Sequence, residues 1–217
     1  MCLPPSPIGF DTSVLINFCA VGRLGLLIDC VPPPRYLVVD VRDELEDVNS
    51  RRLVDRMIRR RELLLIQATE TERGLSGGVV PLDPGERATL AAAAARGWSV
   101  AVDERLARAA AVRRVGKGRV TGTVGILRAA VRARLVTPST GDVLLTRMIR
   151  AGYYSPVATL DGSPKRRRAS STTAPAAPAS SRPRVADQDV AAWEGRLVQH
   201  EHVQGAPSSA SVSGAKP

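Results

Sequence analysis

The sequence predicts an α/β domain built on a parallel sheet. Short apolar runs alternate with stretches whose apolar residues recur at helical spacing. The run at 36–39 is apolar without interruption, which is typical of a strand buried on both faces. The intervals between successive runs suit right-handed parallel crossovers. These observations together indicate the α/β class.

The predicted elements follow from apolar runs, cap residues and breakers. Strands are predicted over 8–10, 36–39, 63–67, 98–102 and 119–121. Helices are predicted from a cap at Thr12 or Ser13 to Gly22, from a cap at Asp40 onwards, and over 51–61, 83–97, 106–115, 122–135 and 143–151. The glycine-containing segment 70–82 is predicted to be a flexible loop.

Composition divides the chain into a domain over 1–160 and a tail over 161–217. The tail is basic and rich in Ser, Pro and Ala, with almost no large apolar side chain between 163 and 186. Such a segment buries too little apolar surface to offset its chain entropy. We therefore expect the tail to be disordered.

The chain has 217 residues and a net charge of +10, supplied mostly by arginine. Residues 1–160 hold 23 Lys and Arg against 16 Asp and Glu. This surplus favours a polyanionic partner, with nucleic acid first and anionic lipid second; the alternative is a surface that only maintains solubility. No apolar run is long enough to span a membrane, and the three cysteines lack metal-site spacing. We expect a cytoplasmic protein without disulfides.

Four acidic residues at strand ends or helix starts are the candidate site: Asp11, Glu44, Glu86 and Asp103. Each has a structural alternative. Asp11 can be a polar strand end, Glu44 can favour the positive end of a helix dipole, and Asp103 can cap a helix. Glu86 fits a capping box with Asp83. Spacing alone does not separate Glu44 from its acidic neighbours in the same helix.

The joint placement of these acids favours a metal site. The carboxyl ends of parallel strands share one edge of a sheet, so the side chains would lie close together. Mutual repulsion would raise their pKa values unless a cation bound among them. Oxygen ligands without His or Cys select Mg²⁺ or Mn²⁺, and such an ion beside basic side chains suits phosphodiester hydrolysis. The arginines that we expect to bind RNA lie on the 51–61 helix: Arg52, Arg56, Arg59 and Arg60.

Five motifs in order resemble those of PIN domains, the PilT N-terminal ribonucleases. They are Phe10-Asp11-Thr12-Ser13, Val41-x-x-Glu44-Leu45, Gly85-Glu86-x-Ala88, Val102-Asp103-Glu104-Arg105 and Val120-Thr121-Gly122-Thr123-Val124-Gly125. The third motif has the glycine-glutamate form of one VapC-like branch. The resemblance covers about residues 7–157 and does not extend to the tail. The opening Pro7-Ile8-Gly9-Phe10 is less β-branched than the usual first strand of the family.

The resemblance implies an open parallel sheet of order 3-2-1-4-5 with helices on both faces. Asp11, Glu44, Glu86 and Asp103 would then be the catalytic and metal-binding acids. Ser13 and Thr123 would supply hydroxyls near the metal or the phosphate. PIN proteins cut RNA with Mg²⁺ or Mn²⁺; many are toxins neutralised by an antitoxin protein, and many form homodimers. The alternative is a catalytically quiet PIN-like protein that binds RNA or acts as a scaffold.

Overall fold

The sheet of this protein has five parallel strands, and numbered along the chain they lie in the order 3-2-1-4-5, as the resemblance implies. The structure is a computed structural model, and it describes residues 3–74 and 81–161. The strands are β1 (Ile8–Phe10), β2 (Arg35–Val38), β3 (Leu64–Ile66), β4 (Ser99–Ala101) and β5 (Val120–Thr121). The predicted tail, 161–217, lies outside the described residues apart from Asp161.

Nine α-helices are present in the described part of the chain. They are α1 (Thr12–Ala20), α2 (Leu24–Cys30), α3 (Val39–Asp43), α4 (Val48–Arg59), α5 (Glu70–Gly74), α6 (Pro84–Arg96), α7 (Arg105–Val115), α8 (Thr123–Arg132) and α9 (Pro138–Arg150). Helix α6 packs on β1, β2 and β4 and contacts α3, α5 and α7. A second group consists of α1, α2, α4, α8 and α9, where α1 contacts α2, α4, α8 and α9.

Helix α6 lies close to the central strand because both elements carry small side chains where they meet. The alanines at 88, 91, 92 and 93 are buried. A Cβ atom added to Gly9 of β1 would lie 3.3 Å from Cγ2 of Thr89, so the strand tolerates little bulk there. The second turn of α6 therefore packs closely on the middle of β1.

Several predicted helix boundaries differ from the structure, among them α4, which is Val48–Arg59 where 51–61 was predicted, and α8, which ends at Arg132 where 135 was predicted. Asp11 caps α1, where Thr12 or Ser13 was predicted, because its side chain accepts the Ser13 N–H. Helix α3 begins at Val39, one residue before the predicted cap Asp40. Helix α9 begins at Pro138, where Thr137 accepts the N–H of Thr140.

The predicted loop 70–82 is wrong over its first residues, which form α5. Thr69 and Glu72 exchange hydrogen bonds: the Thr69 N–H donates to Oε2 of Glu72, and the Glu72 N–H donates to Oγ1 of Thr69. This capping box has the Thr-x-x-Glu spacing and stabilises the first turn. Residues 75–80 of the predicted loop lie outside the described residues.

Candidate functional site

Asp11 lies at the carboxyl end of β1, and Ser13 orients it. Oδ2 of Asp11 accepts the Ser13 N–H at 3.2 Å and the Ser13 hydroxyl at 2.5 Å. The residue is only 2% exposed, and its other oxygen, Oδ1, is buried without a hydrogen-bond partner among the described residues. A buried carboxylate oxygen without a partner is costly for the fold. Ser13, a predicted supporting hydroxyl, therefore occupies one side of a carboxylate whose other side is free.

Glu86 lies in the first turn of α6 and, like Asp11, has one carboxylate oxygen with a hydrogen-bond partner and one without. Its Oε2 accepts the Asp83 N–H at 3.2 Å, so the capping box expected as the structural alternative is present. Its Oε1 is buried without a partner, and the residue is 6% exposed. Capping accounts for one of the two carboxylate oxygens only. We call Asp11 and Glu86 the inner pair.

The charge state of the inner pair reflects its burial. Burial raises the pKa of Asp11 to about 6 against the lowering effect of hydrogen bonding by Ser13 and by the Thr12 backbone, and the charge of Glu44 adds to the rise. Burial also raises the pKa of Glu86 to about 7, and the charge of Asp11 is the next cause. The charge of Asp11 therefore disfavours ionisation of Glu86.

Glu44 does not lie one turn into a helix, as predicted, but follows α3 as its C-cap. Its Oε1 accepts the Gly85 N–H at 2.6 Å, and its Oε2 accepts the Thr12 hydroxyl at 2.5 Å. The carboxylate thus reaches the amino-terminal end of a different helix, α6. A Cβ atom at Gly85 would collide with this carboxylate, which explains the glycine in the glycine-glutamate motif.

Asp103 follows β4 and is surrounded by hydrogen-bond donors. Its Oδ1 accepts the Thr123 N–H at 2.9 Å and the Tyr153 hydroxyl at 3.1 Å. Its Oδ2 accepts the Thr123 hydroxyl at 2.6 Å and an amide N–H of Asn17 at 3.0 Å. A Cβ atom at Gly122 would lie 2.6 Å from Oδ1. We call Glu44 and Asp103 the outer pair, because both oxygens of each are partnered.

The structural alternative for Asp103, a helix cap, is wrong. The N-cap of α7 is Glu104, and its side chain makes no capping hydrogen bond. The charge of Glu104 contributes to the raised pKa of Glu86, so Glu104 acts electrostatically on the inner pair. The predicted hydroxyl of Thr123 serves Asp103 directly.

Several residues at this edge were missed in the sequence. Thr12 holds Glu44, whereas Asn17 and Tyr153 hold Asp103. Arg108 donates through one guanidinium nitrogen to the carbonyls of Val102 at 2.7 Å and Thr121 at 2.6 Å, which ties the ends of β4 and β5 together. Asn17 offered one signal, since it is a polar residue among the buried positions of α1.

The residues of the inner pair fit a hard divalent cation. Among residues 3–74 and 81–161, no three His, Cys, Asp or Glu side chains converge closely enough to form a complete metal cage. Mg²⁺ rarely requires such a cage, because it keeps several waters and binds through one or two carboxylates and substrate phosphates. The two unpartnered oxygens of Asp11 and Glu86 provide two carboxylate ligands of this kind.

The predicted RNA-binding arginines lie on or directly after α4. Arg52, Arg59 and Arg60 are exposed, and Arg56 is half-buried. Arg56 and Arg60 also interact with other groups of the protein. Arg52 and Arg59 are therefore the two arginines of this set whose positive charge is most available to a ligand.

None of the helices in the described ranges is long and apolar enough to cross a bilayer. This finding agrees with the sequence, in which no apolar run reaches that length.

Comparison with known proteins gives a family assignment that covers most of the chain. A family model of the PIN domain matches residues 8–163. No curated protein and no solved structure gives a significant match. The matched range contains all five strands and all four candidate acids. The chain therefore belongs to the PIN domain family, whose members are generally metal-dependent nucleases.

Proposed function

We propose that this protein is an endoribonuclease that hydrolyses RNA phosphodiester bonds with Mg²⁺ or Mn²⁺. One observation carries the proposal: the inner pair buries two carboxylates, each with an oxygen that has no hydrogen-bond partner. Such a cluster is unfavourable in the folded protein unless a cation binds to it. Membership of a nuclease family gives that cation a chemical purpose.

We infer different tasks for the four acids from the hydrogen bonds that they accept. An ionised carboxylate has about four lone-pair sites. Asp103 accepts four hydrogen bonds and has filled this capacity, so we propose that it positions α8 and its neighbours. Glu44 accepts two, one on each oxygen, so it retains a lone pair on each for a metal ion or its water. Asp11 and Glu86 are the principal metal ligands in this proposal.

Asp11 and Glu86 would hold the metal ion, which would supply an activated water and stabilise the charge that develops on the leaving oxygen. The protein contributes orientation: Ser13 fixes the Asp11 carboxylate, and Gly85 and Thr12 fix that of Glu44. Positive charge on α4, from Arg52, Arg56, Arg59 and Arg60, attracts the RNA backbone. The products would carry a 5′-phosphate and a 3′-hydroxyl.

The biological setting that we propose is a type II toxin–antitoxin pair in the cytoplasm. The support is the ordered motif set, which resembles the VapC-like branch. The partner would be an antitoxin protein that covers the acidic edge, and a homodimer is the assembly that the resemblance favours. Expression of the chain alone should arrest growth, and coexpression of a cognate antitoxin should restore it. Equal growth in both cultures would contradict the toxin assignment.

The nuclease activity is tested with purified protein and a labelled RNA. We expect cleavage that requires Mg²⁺ or Mn²⁺, stops with EDTA and is abolished by Glu86→Gln. Glu70→Gln is the matched control, because Glu70 is an exposed acid at the start of α5. A Glu86→Gln protein that is as active as the wild type would refute the assignment.

The second candidate function is a catalytically quiet RNA-binding or scaffold protein. It is favoured by the lack of three converging metal-ligating side chains among residues 3–74 and 81–161. Calorimetric titration with Mn²⁺ distinguishes the two functions. Binding that Asp11→Asn abolishes supports the nuclease, whereas no binding at millimolar Mn²⁺ supports the quiet protein.

A further inference from the structure

A cleft of about 450 Å³ adjoins the acidic edge on the side of β2 and β3. Its lining residues are Val39, Asp40, Asp43, Glu44, Gln67, Arg73 and Pro84. Glu44 is common to the cleft and to the candidate metal site, so a molecule in the cleft would lie beside the reacting phosphate. The volume falls within the range of small-molecule sites.

The charges around the cleft argue against a phosphate as its occupant. Three carboxylates line it, those of Asp40, Asp43 and Glu44, against one guanidinium, that of Arg73. Asp40 engages that guanidinium through two hydrogen bonds of 2.8 and 2.7 Å. The remaining charge is negative and repels a polyanion. A neutral group rich in hydrogen-bond donors suits this wall better.

Arg73 provides a fixed planar surface in the cleft. Its two bonds to Asp40 and a third, from Nε to the Ala68 carbonyl at 3.3 Å, hold the guanidinium in one orientation. Guanidinium planes stack on nucleobases in RNA complexes, and a group that is already oriented loses little entropy on binding. Val39 and Pro84 add apolar surface.

The acceptors in the cleft discriminate between bases. The carboxylate of Asp43 has one neighbour, Nη1 of Arg42 at 3.3 Å, and its side chain is 59% exposed, so it can accept further hydrogen bonds. The side chain of Gln67 adds an amide carbonyl. Adenine, cytosine and guanine each carry an exocyclic amine that can donate to these acceptors. Uracil carries carbonyl oxygens in place of that amine.

We propose that this cleft is a specificity subsite that binds an amino-bearing RNA base next to the scissile phosphate, with the base stacked on Arg73 and its amine read by Asp43. The inference rests on the proposed ribonuclease function and adds a base preference to it. The subsite disfavours uracil because its one Watson–Crick donor, N3–H, lies between two carbonyl oxygens that the Asp43 carboxylate repels.

The direct test measures binding of the 5′-monophosphates of adenosine, cytidine, guanosine and uridine to the full chain in Mg²⁺ by NMR titration. We expect the first three to bind at least about fivefold more tightly than the uridine nucleotide, as one hydrogen bond to a charged acceptor suggests. Asp43→Asn should remove this difference, because an amide offers both a donor and an acceptor. Glu46→Gln removes the same charge from an exposed acid that does not line the cleft, and it should preserve the difference.

Several outcomes would overturn the subsite. They are equal affinities for the four nucleotides, an identical effect of Asp43→Asn and Glu46→Gln, or binding of N-acetylarginine amide in place of nucleotides. The last result would assign the cleft to a basic protein partner.

Cleavage of a randomised RNA pool separates this inference from the proposed function. Wild-type protein should leave uracil depleted at one position beside the cut, and Asp43→Asn should restore it. RNA cleavage combined with equal binding of the four nucleotides would refute the subsite and retain the proposed ribonuclease function. Selective nucleotide binding by a protein that cuts no RNA would retain the subsite and reject the ribonuclease.

Discussion

The inner and outer pairs of carboxylates lie at the same edge of the sheet but have opposite hydrogen-bond environments. Asp11 and Glu86 are almost fully buried, and each leaves one oxygen without a partner. Both oxygens of Glu44 and Asp103 accept hydrogen bonds. The hydrogen bonds of the outer pair are made within the fold, whereas the unpartnered oxygens of the inner pair are unfavourable for the fold and fit the cation that we propose.

Replacing one acid from each pair is the strongest test of the difference between the two pairs. Asp11→Asn removes a buried charge, so we expect cleavage to fall about a thousandfold or more while metal-free stability at neutral pH rises by about 1–2 kcal/mol. Asp103→Asn puts an amide where four donors point, so stability should fall by about 1–3 kcal/mol. RNA cleavage assays and thermal melts measure both effects.

For this pair of variants, we expect cooperative melting in both and loss of cleavage in both. The opposite signs of the stability change are the diagnostic result. If Asp11→Asn destabilised the metal-free protein as much as Asp103→Asn, the unpartnered oxygen of Asp11 would have a partner in solution, and the distinction between the pairs would fail.

The inner pair also predicts how stability depends on pH without metal. The pKa of Asp11 is raised from 3.8 to about 6 by burial, and that of Glu86 is raised from 4.5 to about 7. The unfolded chain therefore releases these protons at lower pH than the folded protein. Stability from these groups is highest below about pH 4 and falls as pH rises to about 7.

This pH effect is measured as the difference in melting temperature between wild type and an Asp11→Asn, Glu86→Gln double variant in EDTA. Subtracting the two melting temperatures cancels the contribution of carboxylates whose pKa values are lowered on folding. One of these is Glu72, whose pKa is lowered to about 2 by its Arg96 hydrogen bonds. As the pH rises from about 4 to 7, we expect the melting temperature of the double variant to rise relative to that of the wild type. Millimolar Mn²⁺ should reverse much of that gain. A constant difference across this range would be incompatible with raised pKa values.

Gly85→Ala tests the outer pair through its backbone partner. The added Cβ would meet the Glu44 carboxylate, so we expect a loss of about 1–3 kcal/mol of stability and a fall in cleavage. Gly118→Ala is the matched control, because a Cβ there has no neighbour within 4 Å. Thermal melts and RNA cleavage assays compare the two variants.

A double-mutant cycle with Glu44→Ala isolates the collision at Gly85. Gly85→Ala should destabilise the Glu44→Ala protein much less than the wild type, because the carboxylate is gone. Fully additive effects would show that Gly85 is required for another reason, such as the geometry of the α6 start.

The sequence predicted the α/β class from local patterns, and motif resemblance supplied the sheet order. The structure confirmed both. The α/β class was predictable because strand runs and helix caps are short-range features of a sequence. The common edge for Asp11, Glu44, Glu86 and Asp103 follows from parallel topology. The helix α5 was missed although Thr69 and Glu72 carry a capping-box spacing.

The division into two pairs was not predictable from the sequence. It depends on contacts between residues far apart in the chain, such as Gly85 with Glu44 and Tyr153 with Asp103. The apparent role of Glu44 as a first-turn acid was wrong because α3 ends before it. Spacing shows which acids share an edge, whereas tertiary contacts decide which oxygens remain free.

The arginines of α4 give the smallest expected effect, since they lie outside both pairs. We expect Arg52→Gln with Arg59→Gln to weaken RNA binding mainly at low salt, because exposed charges act through the phosphate backbone. Each lost contact should reduce the salt slope by about 0.7 for single-stranded RNA. Arg113→Gln with Lys117→Gln removes the same charge from exposed positions on and after α7. Affinities measured across a salt series should separate the two variants, and identical salt slopes would show that α4 attracts RNA only through the net charge of the protein.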